Sequence, residues 1–297
     1  MSNIIKFTFV LPTRLKGGRK FDDYLRLKKI LIPSLRKNLL HKEEIELLII
    51  TPEEDLYHFD PVDLGLLDFK YRVFTDKDVV GKQQFIIGWF KQQLIKLAIA
   101  GEVKSSHYLT LDSDLILCNP ISYKDFFQED KPIIQKEKYQ YHLNWWINTA
   151  QLMGYDQNFN PHENCPGVTP AVLSKELVIG LVNHLRNHFK THDWMGALTI
   201  QIKNFSKIPW TEYCLYWLYL MNEHDISRYY HTHPQKVLLG ESIWTESDYH
   251  TMKGEIVNKF FTYDHHMFSI VQSNLNELDF NDLVTEISTQ INDELNN

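Results

Sequence analysis

The sequence has little cysteine and no arrangement of it suited to chemistry. Cys118, Cys165 and Cys214 are odd in number, widely spaced and free of any C-x-x-C pair. Neither a disulfide framework nor a cysteine zinc site is expected, and a reducing compartment is the simpler inference. No apolar run approaches the roughly 20 residues that span a bilayer, and Met1 to Val10 lacks the basic, apolar and small-residue succession of a signal peptide. The expectation is a cytoplasmic protein without a transmembrane segment, peripheral to a membrane at most. A basic surplus is missing too: 31 Lys and Arg stand against 38 Asp and Glu, a formal charge of -7, which argues against nucleic acid as a partner. Neither a P-loop nor a G-x-G-x-x-G occurs, disfavouring P-loop kinases and dinucleotide oxidoreductases. Internal repeats and low-complexity tracts are absent.

What remains is a chain of 297 residues, 43% hydrophobic and 13% aromatic, long enough to bury a substantial core. Its aromatic wealth suits stacking on sugars or bases, and equally a large core. The first half alternates. Ile4 to Leu11 reads as a central strand ending in Pro12-Thr13 and a charged stretch, Arg14 to Lys20. Phe21 to Leu40 carries Tyr24, Leu27, Leu31, Leu35 and Leu39 at helical spacing, with Pro33 as a kink or break. Strands follow at Ile45 to Ile50 and Tyr71 to Phe74, the latter leading into a polar loop, Thr75 to Asp78. Gly88 to Ala100 is a helix stopped by Gly101. His107 to Leu117 reads as one strand interrupted by two carboxylates. This β-α-β succession predicts an α/β fold with a mostly parallel sheet flanked by helices.

The second half is less regular. Pro132 to Gln135 reads as a strand, His142 to Met153 as a Trp-rich helix, and Cys165 to Thr169 as a tight turn. Ser174 to Lys190 and Thr211 to Asn222 read as helices capped by Ser174 and Thr211. From Asn274 onward the chain is acidic and amphipathic.

Asp112 and Asp114 carry the strongest chemical signal. They lie between Tyr108-Leu109-Thr110-Leu111 and Leu115-Ile116-Leu117, so two charges interrupt a run suited to a buried strand. Burying unpaired carboxylates is costly. A hard divalent cation resolves that cost, because Mg²⁺ or Mn²⁺ accepts carboxylate oxygen and bridges to a diphosphate. The competing reading is a capped turn with exposed aspartates.

Leu109 to Leu117, taken with Gly88-Trp89-Phe90-Lys91-Gln92-Gln93-Leu94-Ile95-Lys96-Leu97 upstream, resembles the GT-A glycosyltransferases with a D-x-D motif and their bacterial relatives. The resemblance implies a GT-A-like, Rossmann-type sheet with a smaller acceptor-side subregion. It implies a hexosyltransferase-like enzyme using a nucleotide-diphosphate-sugar donor, Mn²⁺ or Mg²⁺, and a glycan, lipid-linked sugar or other hydroxyl acceptor. Residues 1–273 would form one catalytic domain, with 1–120 the nucleotide-sugar-binding half and 121–273 the acceptor half. Residues 274–297 would form a peripheral helix. Carried over by position, Asp112 contacts ribose or the metal and its water, Ser113 lies within the nucleotide site, and Asp114 ligates the metal. A late histidine completes the metal shell in such enzymes. His266 is the first choice here and His265 the second.

Further candidates surround this centre. Gln92 and Lys96 lie four residues apart with Gln93 beside them, and a diphosphate, sugar or base would meet that face. A solvated helix face is the alternative. Thr13 and Arg14 follow the first strand, where open α/β sheets receive ligands. Asp76 or Asp78 would accept a hydrogen bond from base or ribose. The Cys165-Pro166-Gly167-Val168-Thr169-Pro170 loop suits close approach to an acceptor. Glu212 is the candidate general base, with Asp193 as the competing carboxylate, although Glu212 also suits the start of a helix on dipole grounds alone. His184 and His188, His231-Thr232-His233 and the Asn204-Phe205-Ser206 acceptor pattern lack the context that would give them a role. The competing functions are a metal-dependent nucleotidyltransferase, or a non-catalytic carbohydrate-binding or scaffold protein using Trp145-Trp146.

Overall fold

The structure is a computed structural model that describes residues 4–16, 23–86, 88–203, 208–262, 265–273, 275 and 278–291. In chain order the strands are β1 (Phe7–Pro12), β2 (Ile45–Thr51), β3 (Lys70–Thr75), β4 (His107–Thr110), β5 (Leu115–Leu117) and β6 (Phe127–Gln128). They continue as β7 (Lys131–Pro132), β8 (Lys136–Lys138), β9 (Asn164–Pro166), β10 (Ala171–Ser174), β11 (Val237–Leu239) and β12 (His266–Ile270). The central sheet has the order β10-β4-β1-β2-β3. Its four strands β4, β1, β2 and β3 run parallel and β10 antiparallel, so the fold is mixed α/β around a mostly parallel sheet.

Alternation along the strands explains why both faces are covered. Phe7, Phe9 and Leu11 of β1 enter one core layer with Leu27, Leu31 and Leu35. Val10 enters the opposite layer with Leu94, Leu97, Val178 and Leu218. A parallel sheet needs helices on both faces to exclude water from its strands, and the crossovers between β1 and β2 and between β3 and β4 supply them.

The helical run before β2 is continuous around Pro33. An α turn, Asp23–Arg26, widens into a π segment, Leu27–Leu31, before the helix Ile32–Asn38. Ile32 N–H bonds back to Leu27 O, five residues away. Pro33 has no N–H to contribute, and the widened turn ahead of it accommodates that loss without ending the helix. The stretch expected as a polar loop after β3 is also helical. Thr75 and Asp78 form a reciprocal capping box that starts the helix Asp76–Val80.

The expected single strand from His107 to Leu117 is two strands in two sheets. Leu111 N–H still bonds Val10 O at 2.8 Å, on β1, whereas Val271 N–H bonds Asp114 O at 3.1 Å, beyond β12. Asp112-Ser113-Asp114 is therefore the place where the chain leaves the central sheet. It enters a second one of order β11-β12-β5, in which β12 is antiparallel to β5. Of the segment expected as a strand from Pro132 to Gln135, only Pro132 lies in one, in β7. The helices Lys175–His188 and Glu212–Glu223 begin at Ser174 and Thr211, whose hydroxyls accept from Leu177 N–H and Cys214 N–H.

The helix Phe280–Ile291 buries Leu283, Ile287 and Ile291 in a layer with Ile30, Ile116 and Cys118. The C-terminal segment thus helps to hold β5 against the helical run. No helix among the described residues is long and apolar enough to cross a membrane. Asn204-Phe205-Ser206, residues 17–20 of the first loop and residues 292–297 of the tail lie outside the described residues.

Candidate functional site

A cavity of about 430 Å³ opens beyond the carboxyl ends of β1 and β4, where open α/β sheets receive ligands. Pro12 closes β1 on one side, and the β4–β5 break contributes Asp112, Ser113 and Asp114. The helix Gly88–Ala98 presents Trp89, Gln92, Gln93 and Lys96, at helical offsets of three, four and seven. That spacing puts all four on one face. The start of the helix Glu212–Glu223 brings Thr211, Glu212 and Tyr213, and the segment after β12 brings Gln272 and Ser273.

Lys96 organises the floor. Its Nζ lies 2.9 Å from Asp112 Oδ1 and 3.2 Å from Glu212 Oε1, and donates to Tyr213 Oη at 3.2 Å. Burial alone would drive the ammonium toward neutrality, but Asp112, Tyr213 and Glu212 hold it well above the ordinary lysine range. Glu212 is pushed upward, first by burial, with Lys96 opposing the shift and Asp112 adding to it. One cation thus faces two carboxylates. Gln93 Oε1 accepts Glu212 N–H at 3.1 Å and fixes the start of that helix. Gln93 Nε2 is buried without a hydrogen-bond partner among the described residues. Tyr213 is held by Thr110 Oγ1 at 2.8 Å.

Asp112 and Asp114 have different surroundings. Asp112 Oδ2 accepts from Thr169 Oγ1 at 3.0 Å, so its two oxygens are spread between Lys96 and the 165–170 loop. Gly167 lets that loop pass close to the chain before it. Its N–H bonds Gln135 O at 2.7 Å, and a Cβ there would stand 2.6 Å from Gln135 Cγ. Asp114 is half-buried, and desolvation followed by repulsion from Asp112 pushes its carboxyl up to about 7 against the pull of Arg26. Ser273 N–H donates to Asp114 Oδ2 at 3.2 Å, and Ser113 Oγ donates to Asp23 Oδ1 at 3.1 Å.

Residues 5–294 match a family described as a family of unknown function, DUF6492. The chain belongs to that family. No curated protein matches it significantly in sequence. Among solved structures, it is similar to the apo form of mouse xyloside xylosyltransferase 1, at 13% identity and a TM-score of 0.46, over 90% of this chain and 97% of that one. It is also similar to the apo form of the glycosyltransferase GlyE of Streptococcus pneumoniae TIGR4, at 13% identity and a TM-score of 0.48. That match covers 95% of this chain and 60% of GlyE.

In this DUF6492 member several expected site residues lie away from the cavity. Antiparallel pairing sets Ile270 opposite Leu115, beside Asp114. His266 is at the other end of β12, about 13 Å along the strand at 3.3 Å per residue. There its Nε2 lies 2.9 Å from Phe260 O, and its carbonyl accepts from Asn119 Nδ2. The structure therefore does not bring His266 together with Asp112 and Asp114. The resemblance implied a late histidine, but the strand direction brings Gln272 and Ser273 to Asp114. His265 is exposed at the same distant end.

Asp193 is likewise remote and exposed, where Oδ1 accepts Gly196 N–H at 2.8 Å and caps the helix Trp194–Lys203. Of the two competing carboxylates, only Glu212 stands in the cavity. Arg14 turns to Asp55, with Nε at 2.6 Å from Oδ2 and Nη2 at 3.0 Å from Oδ1. Thr13 is buried with its N–H on Ile50 O. Asp76 pairs with Lys91 Nζ at 2.6 Å, and Asp78 is the capping residue noted above. These four tie down the carboxyl edge of the sheet without lining the cavity.

A divalent ion requires a donor set. Among the described residues no group of three or more His, Cys, Asp or Glu comes together to hold a metal. A closed protein cage does not fit. A hard ion shared with a ligand does, because Mg²⁺-type sites use one or two carboxylates completed by water and phosphate oxygen. Asp114 and Asp112 suit that arrangement, since the Asp114 carboxyl, raised to about 7, is relieved by a neighbouring cation.

The cavity also has an aromatic side that the sequence reading did not place. Trp89, His142, Trp145 and Trp244 line it, whereas Trp146, the neighbour of Trp145, is fully buried. The helical spacing of Trp89 with Gln92 and Lys96 was a usable signal. Thr169 belongs to the 165–170 loop whose prolines and glycine were a signal, whereas Tyr213, Asp23, Gln272 and Ser273 reach the site through long-range packing and had no comparable local signal.

Proposed function

We propose that the chain is a GT-A-type glycosyltransferase that moves a sugar from a nucleotide-diphosphate donor to a hydroxyl acceptor with the help of Mn²⁺ or Mg²⁺. The observation that carries this reading is Lys96 held between Asp112 and Glu212 on the floor of a cavity at the carboxyl ends of parallel strands. A departing diphosphate needs positive charge placed in advance where negative charge develops. The Lys96 ammonium provides it beside the β4–β5 break. Asp112 and Asp114 would hold the divalent ion, which when bound supplies Lewis-acid stabilisation of the leaving group. Gln92 and Gln93 bound the donor on the helix side.

Glu212 serves as the general base in an inverting transfer. The acceptor oxygen bonds to the anomeric carbon, the bond from that carbon to the diphosphate oxygen breaks, and the acceptor proton passes to the Glu212 carboxylate. Its raised proton affinity matches the task. Lys96 orients the carboxylate beforehand.

Calorimetry with UDP and GDP, with and without Mn²⁺, tests the reading, followed by a turnover screen of nucleotide sugars. Metal-enhanced binding of one nucleotide supports it. No nucleotide binding under either condition removes it and leaves a carbohydrate-binding role.

A further inference from the structure

The aromatic side of the cavity is built as a corner. His142 and Trp145 stack with centroids 4.1 Å apart and planes 11° apart. Trp89 meets Trp145 at 5.8 Å and 51°. Burial lowers the proton affinity of His142, which disfavours a charged ring against Trp145. Trp89 remains 41% exposed and Trp145 half-buried. Both therefore keep ring surface toward the cavity instead of spending it in the core, as Trp146 does.

The corner is attached to the machinery that handles the acceptor. Trp89 and Lys96 share one face of one helix and are separated by about 10 Å along its axis. Phe90, next to Trp89, contacts Trp210 at 5.5 Å, and Trp210 immediately precedes Thr211 and Glu212. Pro12, Asp23 and Ser113 also line the cavity. Amide and hydroxyl groups of Gln92 and Thr169 also line the cavity. Apolar ring faces combined with hydrogen-bonding side chains match the two chemical characters of a pyranose: C–H groups on its faces and hydroxyls around its edge. A serine or threonine hydroxyl brings no ring to stack, and an alkyl chain brings nothing for the amide and hydroxyl to bind.

We propose that the acceptor is itself a carbohydrate, whose terminal pyranose stacks in the Trp89–Trp145 corner with its reacting hydroxyl directed at Glu212. This rests on the glycosyl-transfer reading and narrows it to a sugar acceptor.

The test is binding of methyl glucopyranoside, methyl galactopyranoside and methyl mannopyranoside to the full chain, read by tryptophan fluorescence and saturation-transfer NMR. Uridine and guanosine are run in parallel. At least one glycoside is expected to bind, with its ring C–H protons saturated most strongly. Trp89→Ala and Trp145→Ala should weaken it by about tenfold or more. Trp145→Phe, which keeps a ring and guards against misfolding of the alanine variant, should retain most of the binding. Failure of all three glycosides to bind overturns the proposal, as does a nucleoside that occupies the corner in their place. Wild-type nucleotide calorimetry separates the two levels. Nucleotide binding without glycoside binding removes only the sugar acceptor, and absence of nucleotide binding removes the transfer reading beneath it.

Discussion

Lys96 Nζ lies 2.9 Å from Asp112 Oδ1, which ties the helix Gly88–Ala98 to the point where the chain changes sheets. The same ammonium reaches Glu212, and the side chains of Lys96 and Glu212 are only 5% and 4% exposed. Two carboxylates therefore depend on one buried cation.

Lys96→Met should lower stability by about 3–5 kcal/mol, because breaking a buried ion pair leaves an uncompensated charge. Adding Glu212→Gln should recover part of that loss by removing one stranded carboxylate, while turnover stays absent in both variants. Urea denaturation of the single and double variants measures the difference. An unchanged midpoint for the single variant contradicts the buried pair.

Asp114→Asn should abolish the enhancement of nucleotide binding by Mn²⁺ without lowering stability at pH 8, since burial and Asp112 both oppose the charge on Asp114. Calorimetry with and without the ion, paired with thermal melts, reads both effects. Persistence of the enhancement would exclude Asp114 as a ligand.

Glu137 offers a pH test away from the cavity. Its Oε1 is buried without a partner among the described residues. Burial raises its carboxyl from 4.5 to about 7, partly offset by a hydrogen bond from the Val168 backbone. Between those values the unfolded chain releases the proton and the folded chain keeps it, so stability falls as pH rises through the window and levels off above it. Glu137→Gln should therefore be more stable than the parent at pH 8, by up to about 3 kcal/mol, and nearly equal to it at pH 4. The difference between the two melting curves across pH isolates this one group.

Arg14 and Asp55 separate structure from binding. Asp55 is fully buried and accepts from Arg14 and from Leu15 and Lys16 N–H. These bonds hold its carboxyl below the usual range in spite of burial, so their stabilisation is present above the unfolded value near 4 and is lost as pH falls through the folded one. Asp55→Ala should cost about 2–3 kcal/mol at pH 7. Arg14→Met should lower stability without moving nucleotide affinity by more than about twofold. A large affinity loss in the second variant would return Arg14 to the ligand.

Local pattern carried much of the fold. The largely apolar runs Phe7–Pro12 and Ile45–Thr51, the helical face of Trp89, Gln92, Gln93 and Lys96, and the caps Ser174 and Thr211 are properties of neighbouring residues. So is the conflict that marks Asp112 and Asp114, two charges in an apolar run. The residues near Lys96 were legible in part: Glu212 stood out as an acid at a helix start, whereas Tyr213 beside it carried no assigned role.

Partner choice across the chain was decided elsewhere. His266 and Gln272 both belong to the late segment, and only the antiparallel register of β12 on β5 places Gln272 near Asp114 and His266 far from it. Asp193 and Glu212 are both acids at helix starts, and packing alone buries Glu212 against Lys96 while Asp193 stays in solvent. Sequence by itself determined the alternating strands and helices of the first half and the two charges set within the apolar run His107 to Leu117, because periodicity and the cost of burying charge act between near neighbours. The tertiary structure decided which charges meet, because strand direction and helix docking set distances between residues that the chain holds far apart.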